Sequence, residues 1–593
     1  MIIALAARVS SRRTLGAIFD LVRGKRVRGW NKLCLIAADN SRYYERWIDI
    51  AEPLLIQARL ARAPTKERSA CPASPLVGLV LGGGQAPEAA ACTAASLREA
   101  FGDAADIWVM GQNVPGCLTI ASSISPAKAL DRICQGSGAA TWLIPMHAGD
   151  LLSPFAGQVI AQAVRNDPVE EVIYWDSDEL IEGRRSSPWL KATWDPLLYL
   201  ARDGLSRSCA VRMCAAIAVS SVSNGTTSDM DFNSQFIAGL IMRMVARNGA
   251  PDPVHVPLIM THYSGATKGS ALNSAGISAP QVDLWADLVA RYWSEPVVPI
   301  EGSAASPFRR VAPPFPQVWP SVSIIIPTRD KVELLRACLD GLAKLNYPGS
   351  YEIVVVDNGT TQREALELMR DRQAEGSIHV IRDDGPFNFA ALNNMAVARS
   401  SSEVICLLNN DVEALDGGWL ATMVRHAARP DIGAVGALLL YPDGSVQHAG
   451  VAIGTGGAAG HLARGVRPDN PAHFAWHGVT RTVSAVTAAC MVVRREVYLS
   501  VGGLDGQSFA VAFNDVDFCM RLQQRGLRNV FVAEARLIHH ESISRGKDHA
   551  PSNIARFSGE LARFRGRWGS QDYRDPHYSP LFSRSAEPCV LNF

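Results

Sequence analysis

No apolar run approaches the ~20 residues needed to cross a bilayer, so a membrane-spanning helix is not expected. A secretion signal is not expected either. The apolar start, residues 1–7, is short, and positive charge follows it from Arg8 instead of preceding it. The 12 cysteines are scattered, with no CxxC pair and no Cys/His cluster, which fits reduced, buried thiols in a cytoplasmic protein, and the length of 593 residues excludes a small disulfide-stapled module. Neither sign of charge is in excess. Lys+Arg total 58 against Asp+Glu 57, so nothing electrostatic argues for nucleic acid as a partner. The 48 Gly and 34 Pro follow no period, which excludes a collagen or linker-rich chain. A nucleotide-binding glycine signature is also absent. The stretch GTGGAAG (454–460) is followed by no Lys-Ser/Thr pair, and Ala459 stands where GxGxxG needs its last glycine; it reads as a flexible loop.

What is present is length and apolar content. With 593 residues, 48% of them hydrophobic, the chain can bury several cores. Residues 1–75 read as a helical leader. Arg12, Arg13, Arg23, Lys25, Arg26 and Arg28 alternate with Leu15, Ile18, Phe19 and Leu21, a basic amphipathic pattern that suits an anionic membrane surface through residues 1–30. The competing reading is a helix docked on the protein's own body. Apolar strands are expected near 75–82, 106–110, 140–146 and 171–175, with a closing strand at 254–263; alternation with helices predicts parallel α/β structure. Prolines 313, 314, 316 and 320 mark an extended connector, where the main boundary is placed. The expected divisions are 1–75, 76–270, a connector at 271–320, 321–583, and a tail at 584–593.

The later half has the clearer pattern. VSIIIP, YEIVVVDNG, SIHVI and EVICLL alternate with helical stretches, as in a doubly wound sheet. Ligands of such sheets bind beyond the carboxyl ends of the strands. Here those ends carry Asp357, Asp383-Asp384 and Asp411. Acids converging there form a site for Mg²⁺ or Mn²⁺, hard cations that take part of their shell from phosphates. Further on, Asp515 and Asp517 flank a helix start, as a helix cap or as a general base, and His539, His540 and Glu541 follow a strand, as structural side chains or as a nitrogen ligand.

Taken together, VSIIIPTRD, EIVVVDNG, DDGPFNFAALNNMAV, LLNNDVE, LLYPDGSVQHAGV, AVTAACMVVRREVY, GGLDG, FNDVDFCMRL and HHESISRG, in that order over 322–545, closely resemble the family 2 glycosyltransferases. The resemblance is to the large bacterial members that build surface polysaccharides, including O-antigen and rhamnose-containing chains. It implies the GT-A fold and transfer of a sugar, with inversion, from a nucleotide-diphosphate donor to a hydroxyl of a glycan or lipid-linked glycan. It implies dTDP-rhamnose or a UDP-sugar as donor; the scattered cysteines and the basic leader suit a cytoplasmic location, peripheral on the inner face of the plasma membrane. Carried onto this sequence, Asp357 and Asp384 would contact the nucleotide. Asn409-Asn410-Asp411 stands where the family has D-x-D, so Asp411 alone is a charged metal ligand there. His539 or His540 would be the remote ligand. Asn514-Asp515 stands where the family has Glu-Asp, which makes Asp515 the base, with Asp517 the adjacent alternative.

Residues 76–270 resemble the same family more faintly, which implies two tandem GT-A-like domains with the first one degenerate. Only Asp150 remains of its metal loop, and Asp176 and Asp178 are the acids to watch. Two other function classes use similar parts. A metal-dependent nucleotidyltransferase acting on sugar phosphates would release pyrophosphate; a carbohydrate-binding scaffold would be indifferent to loss of Asp411.

Overall fold

The structure is a computed structural model and describes residues 1–40, 42–61, 75–82, 86–103, 105–166, 169–220, 234–247, 249–264, 312–470, 474–540 and 551–593. The chain packs as two units. The first comprises Ser41–Val311, Ser579–Leu581 and Leu591–Phe593; the second comprises Met1–Asn40, Ala312–Tyr578 and Phe582–Val590. Most of the expected connector, 271–311, lies outside the described residues, whereas Ala312 onward belongs to the second unit.

Each unit is built on one mixed sheet. In the first, the strands are β1 (Leu76–Leu81), β2 (Ile107–Met110), β3 (Leu118–Ile120), β4 (Trp142–His147), β5 (Leu151–Leu152), β6 (Val172–Ile181), β7 (Arg184–Trp189), β8 (Cys209–Arg212) and β9 (Val254–Ser264). Their order is β3-β2-β1-β4-β8-β6-β9-β5, with β7 paired to β6. The second unit carries β10 (Val322–Thr328), β11 (Tyr351–Asp357), β12 (His379–Arg382), β13 (Val404–Leu408), β14 (Val412–Ala414), β15 (Ile432–Leu440), β16 (Val446–His448), β17 (Val451–Ile453), β18 (Ala459–His461), β19 (Arg481–Val483), β20 (Cys490–Arg494) and β21 (Arg528–His539). Its main sheet runs β12-β11-β10-β13-β20-β15-β21-β14, with β16 on β15 and β19 on β21.

The two orders are one pattern written twice. In each, four parallel strands lead to an antiparallel one (β8, β20), then to a parallel pair (β6 with β9, β15 with β21), then to a short antiparallel edge (β5, β14). The continuous apolar runs follow from burial on both faces: all seven residues of β10 and all five of β13 are buried.

The leader divides between the units. Helices α1 (Ile2–Val9), α2 (Ser11–Val22) and α3 (Arg26–Ala38) belong to the second; α4 (Arg42–Ile50) and α5 (Glu52–Leu60) belong to the first. Ser10 caps α2 by accepting the Arg13 N–H at 3.3 Å. On α3, Asn31 donates to Glu587 Oε2 at 2.6 Å, and Trp30 Nε1 donates to Ser585 at 3.3 Å, so docking on the body is real for this helix. The expected tail also divides, with 582–590 in the second unit and Leu591–Phe593 in the first, where Trp47 Nε1 donates to Asn592 O at 2.8 Å.

The second unit carries a built-in acid sensitivity. His426 lies on the helix Trp419–Ala427 and is 2% exposed. Burial lowers its pKa to about 3, and Arg425, Arg429 and Arg528 push the same way. Its unfolded value is near 6.5. The native state holds the ring neutral, so its contribution is whole above pH 6.5 and is lost as pH falls toward 3. His426→Gln is expected to flatten the acid limb of urea stability between pH 6.5 and 4 by on the order of a few kcal/mol. An unchanged slope would count against this.

Candidate active site

Three strand ends converge at the carboxyl edge of the second sheet. At the end of β11, Asp357 is 2% exposed. Its Oδ1 accepts the Thr360 N–H at 2.8 Å, and its Oδ2 accepts Arg382 Nη1 at 2.5 Å. Arg382 also donates through Nε to Asp384 Oδ1 at 2.8 Å. Both bonds raise the guanidinium's pKa, Asp384 first. Asp384 leaves 73% of its side chain exposed. Parallel pairing produces this arrangement, because Asp357 stands in register with Arg382. Sequence reading missed Arg382; its signal is a basic residue closing the strand that ends before Asp383-Asp384.

Beyond β13, the three residues of Asn409-Asn410-Asp411 go separate ways. Asn409 donates its N–H to Ala489 O at 2.9 Å. Asn410 is buried and donates to Thr328 Oγ1 at 2.9 Å, bracing β10 against the loop. Asp411 is 4% exposed. The β14–β21 ladder pairs Val412 with His539, which sets Asp411 Oδ1 3.1 Å from His539 Nε2.

Gln447 orients that ring. Its Nε2 donates to His539 O at 3.2 Å, so its Oε1, 2.5 Å from Nδ1, accepts the ring N–H. That leaves Nε2 facing Asp411 and the Asn409 amide, which lies at 3.3 Å. The adjacent His540 does not join them. Its ring turns to Glu413 at 3.3 Å, and only its backbone N–H reaches Asp411 O, at 3.0 Å. Glu541 lies outside the described residues.

A carboxylate oxygen and an imidazole nitrogen, which is a ligand in its neutral form, face one another there and fit a small divalent cation. Among the described residues, no group of three or more His, Cys, Asp or Glu side chains gathers to hold a metal. The protein's share there is the pair Asp411 and His539, and phosphate oxygens and water would complete a shell of the kind Mg²⁺ keeps.

The expected base sits at the head of the helix Asn514–Gln524. The chain enters this helix through Phe513 at φ 65°, an unusual conformation for a bulky residue, held by stacking on Phe557 and Phe564. Asp515 is half-buried. Its Oδ2 accepts the Ala488 N–H at 3.1 Å and its Oδ1 the Val516 N–H at 2.9 Å. Asp517 is fully buried and bonded to Arg521 Nε (2.8 Å), Arg567 Nη1 (2.8 Å) and Trp568 Nε1 (3.0 Å). Only Asp515 has solvent-facing surface to offer a substrate. Asn514 is buried and donates to Val511 O at 2.9 Å, closing the turn rather than facing outward. Two neighbouring residues join the metal side to the base side: Ala489 O takes the Asn409 N–H, and the Ala488 N–H goes to Asp515.

The loop at 454–460 is not open. It forms the hairpin β17–β18, and its turn is pinned by Gly456 N–H to Arg584 O at 2.7 Å and by Arg565 Nε to Gly457 O at 2.9 Å. Positive φ at Gly454, Gly456 and Gly457 explains the glycines without any nucleotide. A cavity of about 570 Å³ lies beside Asn388, Gly502–Gly506 and Arg567, but Asp357, Asp411, Asp515 and His539 do not line it.

With this geometry in view, the chain was compared with known proteins. Residues 323–501 match the family described as "Glycosyl transferase family 2". The match ends before Asp515 and His539, which rest on geometry. A Sinorhizobium fredii protein, y4gI, is 35% identical over 461 residues, covering 75% of this chain and 48% of that one. The "O-antigen biosynthesis protein RfbC" of Myxococcus xanthus is 34% identical over 458 residues, covering 75% of this chain and 34% of its own length. An "N-acetylglucosaminyl-diphospho-decaprenol L-rhamnosyltransferase" of Mycobacterium tuberculosis is 32% identical over 155 residues, covering 25% of this chain and 50% of that protein. The chain thus spans about half or less of the length of these curated relatives. Residues 323–501 of the second unit are thus a family 2 glycosyltransferase domain, on the GT-A-like mixed sheet described above.

Proposed function

We propose that this chain transfers a sugar, with inversion, from a nucleotide-diphosphate donor to a hydroxyl of a glycan or lipid-linked glycan during bacterial surface-polysaccharide synthesis. The observation that carries the reading is the pairing of Asp411 with His539 and its two-residue link, Ala488-Ala489, to the half-buried Asp515. Asp411 and His539 would hold Mg²⁺ or Mn²⁺, which when bound offsets the charge of the donor diphosphate. Asp515 takes the proton from the acceptor hydroxyl as that oxygen attacks the anomeric carbon. Ala488 N–H and Val516 N–H fix the carboxylate's direction, so its approach needs no rearrangement. Asp384, exposed beside Arg382, meets the nucleoside, while Arg382 holds Asp357 in place. Relatives named for O-antigen and rhamnosyl transfer make dTDP-rhamnose the first donor to test and UDP-sugars the second.

The test is a donor panel with Mn²⁺ or Mg²⁺ that measures free nucleoside diphosphate and glycan product. Turnover of one donor at a rate that Asp411→Asn abolishes supports the reading. Pyrophosphate release from a nucleoside triphosphate would overturn it.

The same reading assigns α2 to an anionic membrane surface. No helix among the described residues is long and apolar enough to cross a membrane. On α2, however, Leu15, Phe19 and Val22 are 66%, 53% and 80% exposed, spaced along one helical face. Arg12 and Arg23 are exposed beside it, and the Arg23 guanidinium lies 4.0 Å over the Phe19 ring. Apolar side chains rimmed by cations suit an anionic headgroup layer. L15S/F19S/V22S is expected to abolish co-sedimentation with vesicles containing anionic phospholipid and to leave soluble-acceptor turnover intact. Equal binding to purely zwitterionic vesicles would contradict the electrostatic part.

A further inference from the structure

The repeat of sheet order between the units extends to the residues at the edge strand. In the second unit Val412 pairs with His539, and Asp411 precedes Val412. In the first unit Leu151 pairs with His262, and Asp150 precedes Leu151. Strand for strand, Asp150 and His262 therefore stand where Asp411 and His539 stand. Their partners differ completely.

Asp150 is fully buried. Arg207 Nη2 lies 2.8 Å from its Oδ1 and 2.9 Å from its Oδ2, Arg207 Nε lies 3.2 Å from Oδ2, and the Ser264 N–H donates to Oδ1 at 3.0 Å. The guanidinium is seated 4.3 Å over the Tyr263 ring. His262 has both nitrogens engaged, Nδ1 with Asp178 Oδ1 at 2.5 Å and Nε2 with Ser153 Oγ at 2.9 Å. Asp176 and Asp178 are likewise bonded within the unit. Asp178 also takes Arg185 Nε and Tyr44 OH, both at 2.6 Å, and Asp176 takes the Lys191 N–H at 2.7 Å and faces His255 Nε2 at 2.9 Å.

We propose that Arg207 is a built-in replacement for the divalent cation in the first unit. That unit then binds neither the metal nor the nucleoside diphosphate a metal would hold, and the chain has a single donor site, at Asp411. The inference rests on the reading of Asp411 and His539 as the metal pair. A forked guanidinium takes up both carboxylate oxygens and cancels the charge that would attract a cation. Displacing it would leave a buried charge without its partner, which is strongly unfavourable. The pair is neutral overall, so it offers a diphosphate no net positive charge, unlike a carboxylate–imidazole pair loaded with a divalent ion.

The test counts Mn²⁺ bound to the full chain in the presence of a nucleoside diphosphate, by the electron paramagnetic resonance signal of free Mn²⁺. Wild type is expected to bind one ion per chain, Asp411→Asn none, and the charge-free pair D150N/R207M one. Two ions in wild type, or loss of the ion in D150N/R207M with retention in Asp411→Asn, overturns the proposal. Arg207→Met tests the replacement directly. With the Asp411 site removed by Asp411→Asn in both proteins, millimolar Mn²⁺ should raise the thermal midpoint of the Arg207→Met variant and not that of the protein with Arg207 intact, because the metal re-enters the vacated position; no such rise counts against the proposal. If Arg207→Met fails to fold while D150N/R207M folds, the charge compensation is upheld. If wild type binds no Mn²⁺ at all, the metal reading of Asp411 fails, and Arg207→Met still decides the question for the first unit.

Discussion

Asp515→Asn is expected to lower the rate of sugar transfer by about 10²–10⁴-fold, the usual contribution of a positioned general base. The substitution is nearly isosteric, but the Ala488 and Val516 N–H groups go to separate oxygens of the carboxylate, and the amide oxygen can keep only one of them. What the amide cannot do is take a proton. The loss should therefore fall on kcat, with the donor KM close to wild type, since Asp515 belongs to the base side and Asp411 to the metal side. Stability should fall by no more than the roughly 1 kcal/mol of one lost hydrogen bond and Mn²⁺ affinity should stay unchanged, which separates a chemical role from a structural one. Single-turnover release of nucleoside diphosphate with saturating donor and acceptor is the measurement. A loss under tenfold would remove Asp515 from the proposed mechanism and leave proton transfer to water or to the acceptor itself.

The parts of this site that were legible in the sequence end a strand or start a helix. Asp357, Asp411 and Asp515 could be placed because an apolar run followed by an acid has one simple geometry in a doubly wound sheet. The parts that were not legible depend on which strand lies beside which. Arg382 reaches Asp357 because β12 pairs with β11 in one register, and a shift of one residue would send it to the other face. Gln447 orients His539 across 92 residues of chain, which no local pattern encodes. The choice between His539 and His540 has the same origin, because only the residue opposite Val412 turns its ring toward Asp411. In the first unit the sequence showed an eroded acidic loop, but it could not show that Arg207 had taken up the remaining acid, 57 residues away. The hairpin at 451–461 was misread as a flexible loop because its glycines look like freedom in isolation. They are turn positions, stapled by Arg565 and by the backbone of Arg584.

Asp517→Ala, two residues from the base, is expected to destabilise the second unit by about 3–5 kcal/mol, the cost of breaking a buried ion pair by removing one partner. Asp517 has no exposed surface, and three donors converge on it, from Arg521, Arg567 and Trp568. Removing it leaves two guanidinium groups facing a void. Arg521 is 21% and Arg567 37% exposed at the side chain, so water recovers part of the loss and the lower end of the range is the better expectation. The damage should reach two elements. Arg521 also ties the 502–506 loop through Gly503 O at 2.8 Å, and Arg567 ties the long helix Pro551–Trp568 to Asp505 at 2.9 Å. That helix supplies Glu560, whose buried carboxylate accepts the N–H groups of Val511 and Ala512 just before the base helix. Loosening it should let the Phe513 turn relax and misdirect Asp515. Transfer is therefore expected to fall along with stability, with the loss in kcat recovering at lower temperature, where Asp515→Asn would show no recovery. Urea unfolding followed by tryptophan fluorescence gives the stability term, since Trp568 bonds directly to Asp517. An Asp517→Ala variant within 1 kcal/mol of wild type (roughly fivefold in equilibrium constant) would show that the triad of donors contributes little, and the neighbouring acid would then have to be reconsidered as a participant in the chemistry.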